Sequence, residues 1–203
     1  MNRLARKVLF ASAGAALVII AAPPAFPQAE AEPMAAETTE KTDASLFAQG
    51  RTFLLGAASG EFGDEGEGQY AGRAGAGYFL LDGLSIGAET LFGVADPKGA
   101  GEEALAGLDV VLRWHALRFG EIDAEWSRFL DVGGGGQWTS DEFPEGNRFN
   151  FRERLGFGAT FEMAPDVSLF AGASFFHVSN ANLGDINPGL TGTLAYAGVM
   201  VAF

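Results

Sequence analysis

Near the C-terminal end, the run Phe175-Phe176-His177-Val178-Ser179-Asn180 brings an imidazole, a hydroxyl and an amide together at the close of an otherwise apolar stretch. Such residues favour a β-strand, in which successive side chains point to opposite faces. His177 and Ser179 then share a face with Leu169, Ala171, Ala173 and Phe175. A hydroxyl beside an imidazole is the minimal pair for nucleophilic attack on an ester, with His as general base and Ser as nucleophile. Asn180 adds an amide able to donate to a developing oxyanion. The plain alternative is an interfacial cluster, since small polar residues and His also suit the rim where membrane strands meet headgroups.

The elements that must carry this pair are strands. From Leu46 onward the chain breaks into eight segments rich in Gly, Phe, Leu and Val, divided by turn signals: 46–59, 69–81, 84–95, 104–117, 124–138, 148–163, 167–179 and 191–203. In the fourth, Ala106, Leu108, Val110, Leu112 and Trp114 alternate with Gly107, Asp109, Val111, Arg113 and His115. The sixth sets Phe149, Phe151, Leu155, Phe157 and Phe161 against Asn150, Arg152, Arg154, Gly156, Gly158 and Thr160. This dyad pattern suits a membrane β-barrel, where closure pairs every backbone group and the apolar band faces hydrocarbon. A soluble barrel with its apolar face inward would show the same alternation.

The connections favour the membrane. They alternate between long acidic stretches (60–68, 96–103, 139–147, 180–190) and short or less acidic ones (Asp82-Gly83, 118–123, Ala164-Pro165-Asp166), the pattern of long outer loops and short periplasmic turns. The sequence therefore predicts an all-β fold, an eight-stranded antiparallel transmembrane β-barrel over 45–203 with both termini on the periplasmic side. Strand seven then runs outward and carries His177 and Ser179 to its outer end. A bore of this size is filled by side chains, which argues against a solute channel. Arg73, Glu89, Asp109, Arg113, Arg152 and Arg154 fall on the mixed faces and should pair within it, and His115 reads as a lumen or interface residue rather than a second base.

Residues 1–31 read as a signal peptide: Arg3, Arg6 and Lys7 open it, Val8 to Ala22 is apolar, and Ala29-Glu30-Ala31 offers a cleavage site. A membrane anchor fits less well, because the apolar run is short of a span and meets Pro23, Pro24 and Pro27. The polar, acidic stretch 32–44 reads as a flexible leader. Export to the bacterial outer membrane is the implied destination. With 26 acidic against 13 basic residues, nucleic acid is an unfitting partner. The chain has no Cys, which removes disulfides and thiolate metal sites.

His177-x-Ser179-Asn180, then Ala181-x-Leu183 and Asn187-Pro188-Gly189, resembles the signature of the PagL family, outer-membrane lipid A 3-O-deacylases. The resemblance implies an eight-stranded barrel that hydrolyses the ester-linked acyl chain at position 3 of lipid A, so that lipopolysaccharide and outer-membrane lipid are its partners. It gives His177 the role of base, Ser179 that of nucleophile and Asn180 a place in the oxyanion site, with no metal or organic cofactor. Association into homo-oligomers stays open. One position departs from the family: the triad Glu falls, counting without gaps, at Thr191. A carboxylate orients the imidazole and stabilises the imidazolium, whereas a hydroxyl can do only the first. Asp185 is a substitute acid if its loop folds back, and Glu142 and Glu145 are less apt. Three readings follow: a slow or rewired esterase, an active one using Asp185, and a structural or interaction barrel without catalysis.

Two further signals carry little. Gly133 to Gly136 lacks the Lys-Ser/Thr of a phosphate loop and reads as close backbone packing or a bend. Asp64-Glu65-Gly66-Glu67 lacks the spacing of a calcium loop and reads as a solvated acidic turn.

Overall fold

The computed structural model describes residues 45–64, 66–97, 101–117, 126–144, 147–183, 186 and 189–203. The stretches assigned above to a signal peptide and a leader lie outside them. Eight antiparallel strands, each paired with its chain neighbours, form a closed barrel: β1 (Thr52–Gly63), β2 (Gly68–Leu81), β3 (Leu84–Asp96), β4 (Glu103–Leu117), β5 (Trp126–Thr139), β6 (Phe149–Ala164), β7 (Val167–Ser179) and β8 (Leu190–Ala202). Closure is made by β1 on β8, and Thr52 and Phe203 exchange backbone hydrogen bonds of 3.0 and 2.9 Å at the seam. With no edge strand, the wall leaves no backbone ladder unpaired in hydrocarbon.

The side-chain alternation decides which way the barrel faces. The wall side carries exposed Leu54, Tyr70, Leu108, Val110, Leu130 and Phe157. Exposed aromatics collect at both ends: Phe62, Tyr70, Phe92, Trp138 and Phe149 towards the longer loops, and Tyr78, Trp114, Trp126 and Phe203 towards the tight turns. These are the two girdles and apolar band of an outer-membrane barrel. A lipocalin-like barrel would hold its apolar face inside. Here the apolar band is on the outside as well, and the lumen combines a buried ion network with apolar side chains towards its two ends.

Arg73 sits at the centre of that lumen. Its guanidinium donates to Ser59 Oγ at 3.1 Å, Glu61 at 3.2 Å, Glu89 at 3.3 Å and Asp109 at 3.2 Å. Arg113 pairs with Glu89 and Asp131, Arg152 with Glu61 and Asp109, and Arg154 with Glu89. Tyr196 donates to Asp131 at 2.7 Å. Every ion expected inside is there, joined by Glu61, Asp131 and Tyr196, which the alternation of their strands also turned inward. Gly135 leaves room for this network at the wall: a Cβ there would run into the Leu108 carbonyl and Asp109. Close approach is therefore the reason for glycine at 135, whereas a Cβ at Gly134 would meet nothing nearer than 3.7 Å.

The first strand begins later than its hydrophobic pattern implied. Leu46 and Phe47, expected within a strand starting at 46, are instead buried in a segment before β1 that tucks into the turn end of the bore. Phe47 stacks on His115 with ring centroids 4.1 Å apart, and its carbonyl accepts from Gly83 N at 2.9 Å. An apolar residue can satisfy the same burial by plugging a barrel as by joining its wall, and periodicity does not separate the two. His115 completes this plug, with Nδ1 3.2 Å from Ser127 Oγ, and so stands on the lumen side as read from the sequence.

Removing one member of a buried ion network strands its partners without compensation, at a cost of roughly 3–5 kcal/mol. Arg73→Met should lower unfolding stability in detergent by about that amount, measured by urea titration with heat-modifiable gel migration as the folded-state readout.

Candidate active site

β7 delivers His177 and Ser179 to the loop end of the barrel on the wall side. Their neighbours on the strand show the alternation plainly: Phe176 and Val178 are fully buried in the lumen, while Phe175 is 61% exposed on the wall. His177 and Ser179 are half-buried on that same outer parity. The two groups thus emerge together on the lipid-facing surface, one strand repeat or about 6.8 Å apart along the chain.

β8 supplies the neighbour expected at the family's acid position. Thr191 lies opposite His177 in the ladder, and its Oγ1 is 2.9 Å from the imidazole Nδ1. The consequence lies in the tautomer. A carboxylate only accepts, so it would hold the proton on Nδ1 and leave Nε2 as the base, whereas a hydroxyl both donates and accepts and permits either tautomer. Thr191 therefore orients the ring without fixing which nitrogen is basic. Gly189, with φ +66°, backs the same ring: a Cβ there would stand 3.1 Å from His177 Cε1. A side chain at 189 would be strained and would press on the imidazole.

Asn180 is placed differently from the pair. It is buried, its Nδ2 donates to the Ile186 carbonyl at 2.7 Å, and its Oδ1 accepts from Asn182 N at 2.9 Å. Ala181 and Asn182 follow with φ of 52° and 62°, left-handed conformations that side chains other than Gly adopt at a cost. The Asn180 amide thus pins the turn that ends β7. Leu183 and Ile186 on this loop are 66% and 52% exposed beside the site.

Ser179 makes no side-chain hydrogen bond to His177 among the described residues. Asp185 and Glu145 lie outside those residues, and Glu142 belongs to the β5–β6 connection. Among the described residues no group of His, Asp and Glu is gathered to hold a metal ion.

One residue on this surface was not singled out from the sequence. Glu153 on β6 lies directly opposite His177, on the side away from Thr191. Its signal was there to read: a lone carboxylate among Phe149, Phe151, Leu155 and Phe157 on the apolar parity of its strand.

Residues 109–199, from within β4 to within β8, match the family described as lipid A 3-O-deacylase (PagL). Over these residues the chain matches the PagL family. Among solved structures, the outer membrane enzyme PagL aligns with a TM-score of 0.54 at 18% identity, covering 71% of this chain and 97% of that one. The neisserial surface protein A, NspA, aligns equally well at 0.54, with 15% identity and coverage of 75% and 96%. At these identities the structural likeness speaks for the eight-stranded outer-membrane barrel alone, and the PagL assignment rests on the family match. No curated protein sequence matches the chain.

Thr191→Val removes the oxygen at Nδ1 while keeping shape. Nitrogen NMR of the His177 imidazole should then show a changed tautomer balance, with the barrel still heat-modifiable, since the lost hydrogen bond is worth only about 0.5–1.5 kcal/mol.

Proposed function

We propose that this chain is a lipid A deacylase of the PagL type, an esterase that releases the acyl chain ester-linked at position 3 of lipopolysaccharide in the outer leaflet. The observation that carries the reading is the joint emergence of His177 and Ser179 on the lipid side of β7, within the stretch that matches the deacylase family. The protein reaches the outer membrane through its signal peptide, residues 1–31, and the longer loops face outward.

In this mechanism the acyl chain of the substrate lies against the wall, where Phe175 is exposed, and Leu183 and Ile186 extend the apolar contact past the strand end. His177, held at Nδ1 by Thr191, takes the Ser179 proton at Nε2. Ser179 Oγ attacks the acyl carbonyl, and the tetrahedral oxyanion is met by donors at the Asn180 turn. Collapse expels the sugar hydroxyl, which regains the proton from His177. Water, deprotonated in turn by His177, then hydrolyses the acyl-enzyme and frees the fatty acid. The Ser179 side chain rotates towards Nε2 as substrate binds, in keeping with the looser hydrogen bonds of empty sites.

The hydroxyl at the acid position and the absence of a Ser179–His177 bond favour a second reading, a barrel in which catalysis is weakened or lost. Mass spectrometry of lipid A separates the two. Cells making the protein should lose the position-3 acyl chain, and cells making Ser179→Ala, with heat-modifiable migration intact, should keep it. Trimming that survives in Ser179→Ala would remove Ser179 from the mechanism, and no trimming by the unsubstituted chain would leave the structural barrel.

A further inference from the structure

Glu153 is an acid in a costly place. Along the strand interiors, the described carboxylates at Glu61, Glu89, Asp109 and Asp131 point into the lumen and are ion-paired there. Glu153 instead has the outward parity of Phe151 and Leu155, which are 42% and 65% exposed to the lipid side. It makes no hydrogen bond or ion pair among the described residues. A lone ionisable group on that surface is disfavoured unless it serves something nearby.

What lies beside it is His177. The β6–β7 ladder pairs the two residues directly, a position that brings Cβ atoms of one face within about 4.5–5.5 Å. On its other flank β6 meets β5 at Gly134, which offers no partner. Arg152 and Arg154, adjacent in sequence, are turned into the lumen and engaged there.

We infer that Glu153 supplies the negative charge that the site lacks at Thr191, so that the two functions of a triad carboxylate are divided between the strands flanking β7. Thr191 on β8 orients the ring through Nδ1. Glu153 on β6 favours the imidazolium that forms when His177 takes the Ser179 proton. The inference rests on the deacylase reading above, and Glu153 acts through His177 as a positioning and electrostatic residue rather than on substrate.

The charged groups around the imidazole are few. β6 presents Glu153, β8 presents Thr191 and no titratable side chain on its outer parity. Asp64, whose backbone N–H donates to the Thr191 carbonyl at 3.1 Å, stands at the adjoining end of β1. Asp185, on the loop after β7, lies outside the described residues.

The test uses the full-length barrel purified in detergent, with lipopolysaccharide as substrate and fatty-acid release as the readout. Glu153→Gln removes the charge and keeps the shape. An opposite charge held beside a cation forming in the reaction favours it by a factor of about 10 to 1000, so kcat should fall by about that much with KM little changed. Adding Thr191→Glu to Glu153→Gln should restore the rate, because a carboxylate then returns on the other flank. Asp64→Asn should leave kcat where it is.

Unchanged kcat in Glu153→Gln overturns the inference while Ser179→Ala, if inactive, keeps the deacylase reading standing. A lower rate with no rescue by Thr191→Glu also overturns it, showing a structural Glu153. A kcat that falls with Asp185→Asn and not with Glu153→Gln assigns the charge to the loop. An unsubstituted chain with no activity ends both readings together.

Discussion

Along a wall that faces hydrocarbon, each backbone N–H and C=O must find its partner on a neighbouring strand, because neither lipid nor a solvated edge can accept it. Closing eight strands on themselves meets that requirement, and it has two consequences that run through the whole molecule. Every side chain is committed to the lumen or the wall by a period of two. Every strand also holds one register against its neighbours, since a slip of one residue would exchange the two faces of an entire strand.

The two faces then divide the electrostatic work. Inside, guanidinium and carboxylate groups neutralise one another at close range, with Arg73 bonded to groups from β1, β3 and β4. Such a network fills the bore and ties strands distant in sequence, and each member is expensive to lose. Outside, the surface is apolar and a polar group must account for itself. His177, Ser179, Glu153 and Thr191 stand on that surface within three adjacent strands.

At the position where the sequence resemblance led one to expect a triad acid, the chain has Thr191. A hydroxyl at 191 still reaches the imidazole, so orientation is preserved while charge is not. The nearest strand on the other flank brings a carboxylate to the same height on the wall. A barrel allows this because the residue two strands away sits on the same face of the same cylinder, and a site built across strands can draw a given function from either side.

Much of the architecture was legible in the chain. Alternation in the fourth and sixth segments showed which residues share a face, and that information is local, carried by adjacent residues. The inward Arg73, Asp109 and Arg113 and the outward His177 and Ser179 follow from it directly. Two features were not local. Leu46 and Phe47 are apolar whether they join the wall or plug its end, and only the packed barrel, with Phe47 on His115, separates those outcomes. The Asn180 amide reads from the sequence as an oxyanion donor, and its bonds to Ile186 and Asn182 are contacts that depend on how the loop folds back.

The pairing of Glu153 with His177 shows the division most clearly. Strand parity, read from the sequence, puts both on the wall. Their height relative to one another depends on the ladder, and the β6–β7 register shifts between Glu162 and Ala164, so that counting back from the tight turn at Ala164 and Val167 would set Glu153 against Val178 instead. A bulge adds one residue to one strand without announcing itself in the hydrophobic pattern. The sequence alone determined which face each residue occupies, because that is a property of neighbours along the chain. Which residues meet across strands was decided only by closure of the barrel, because register is a property of the whole ring.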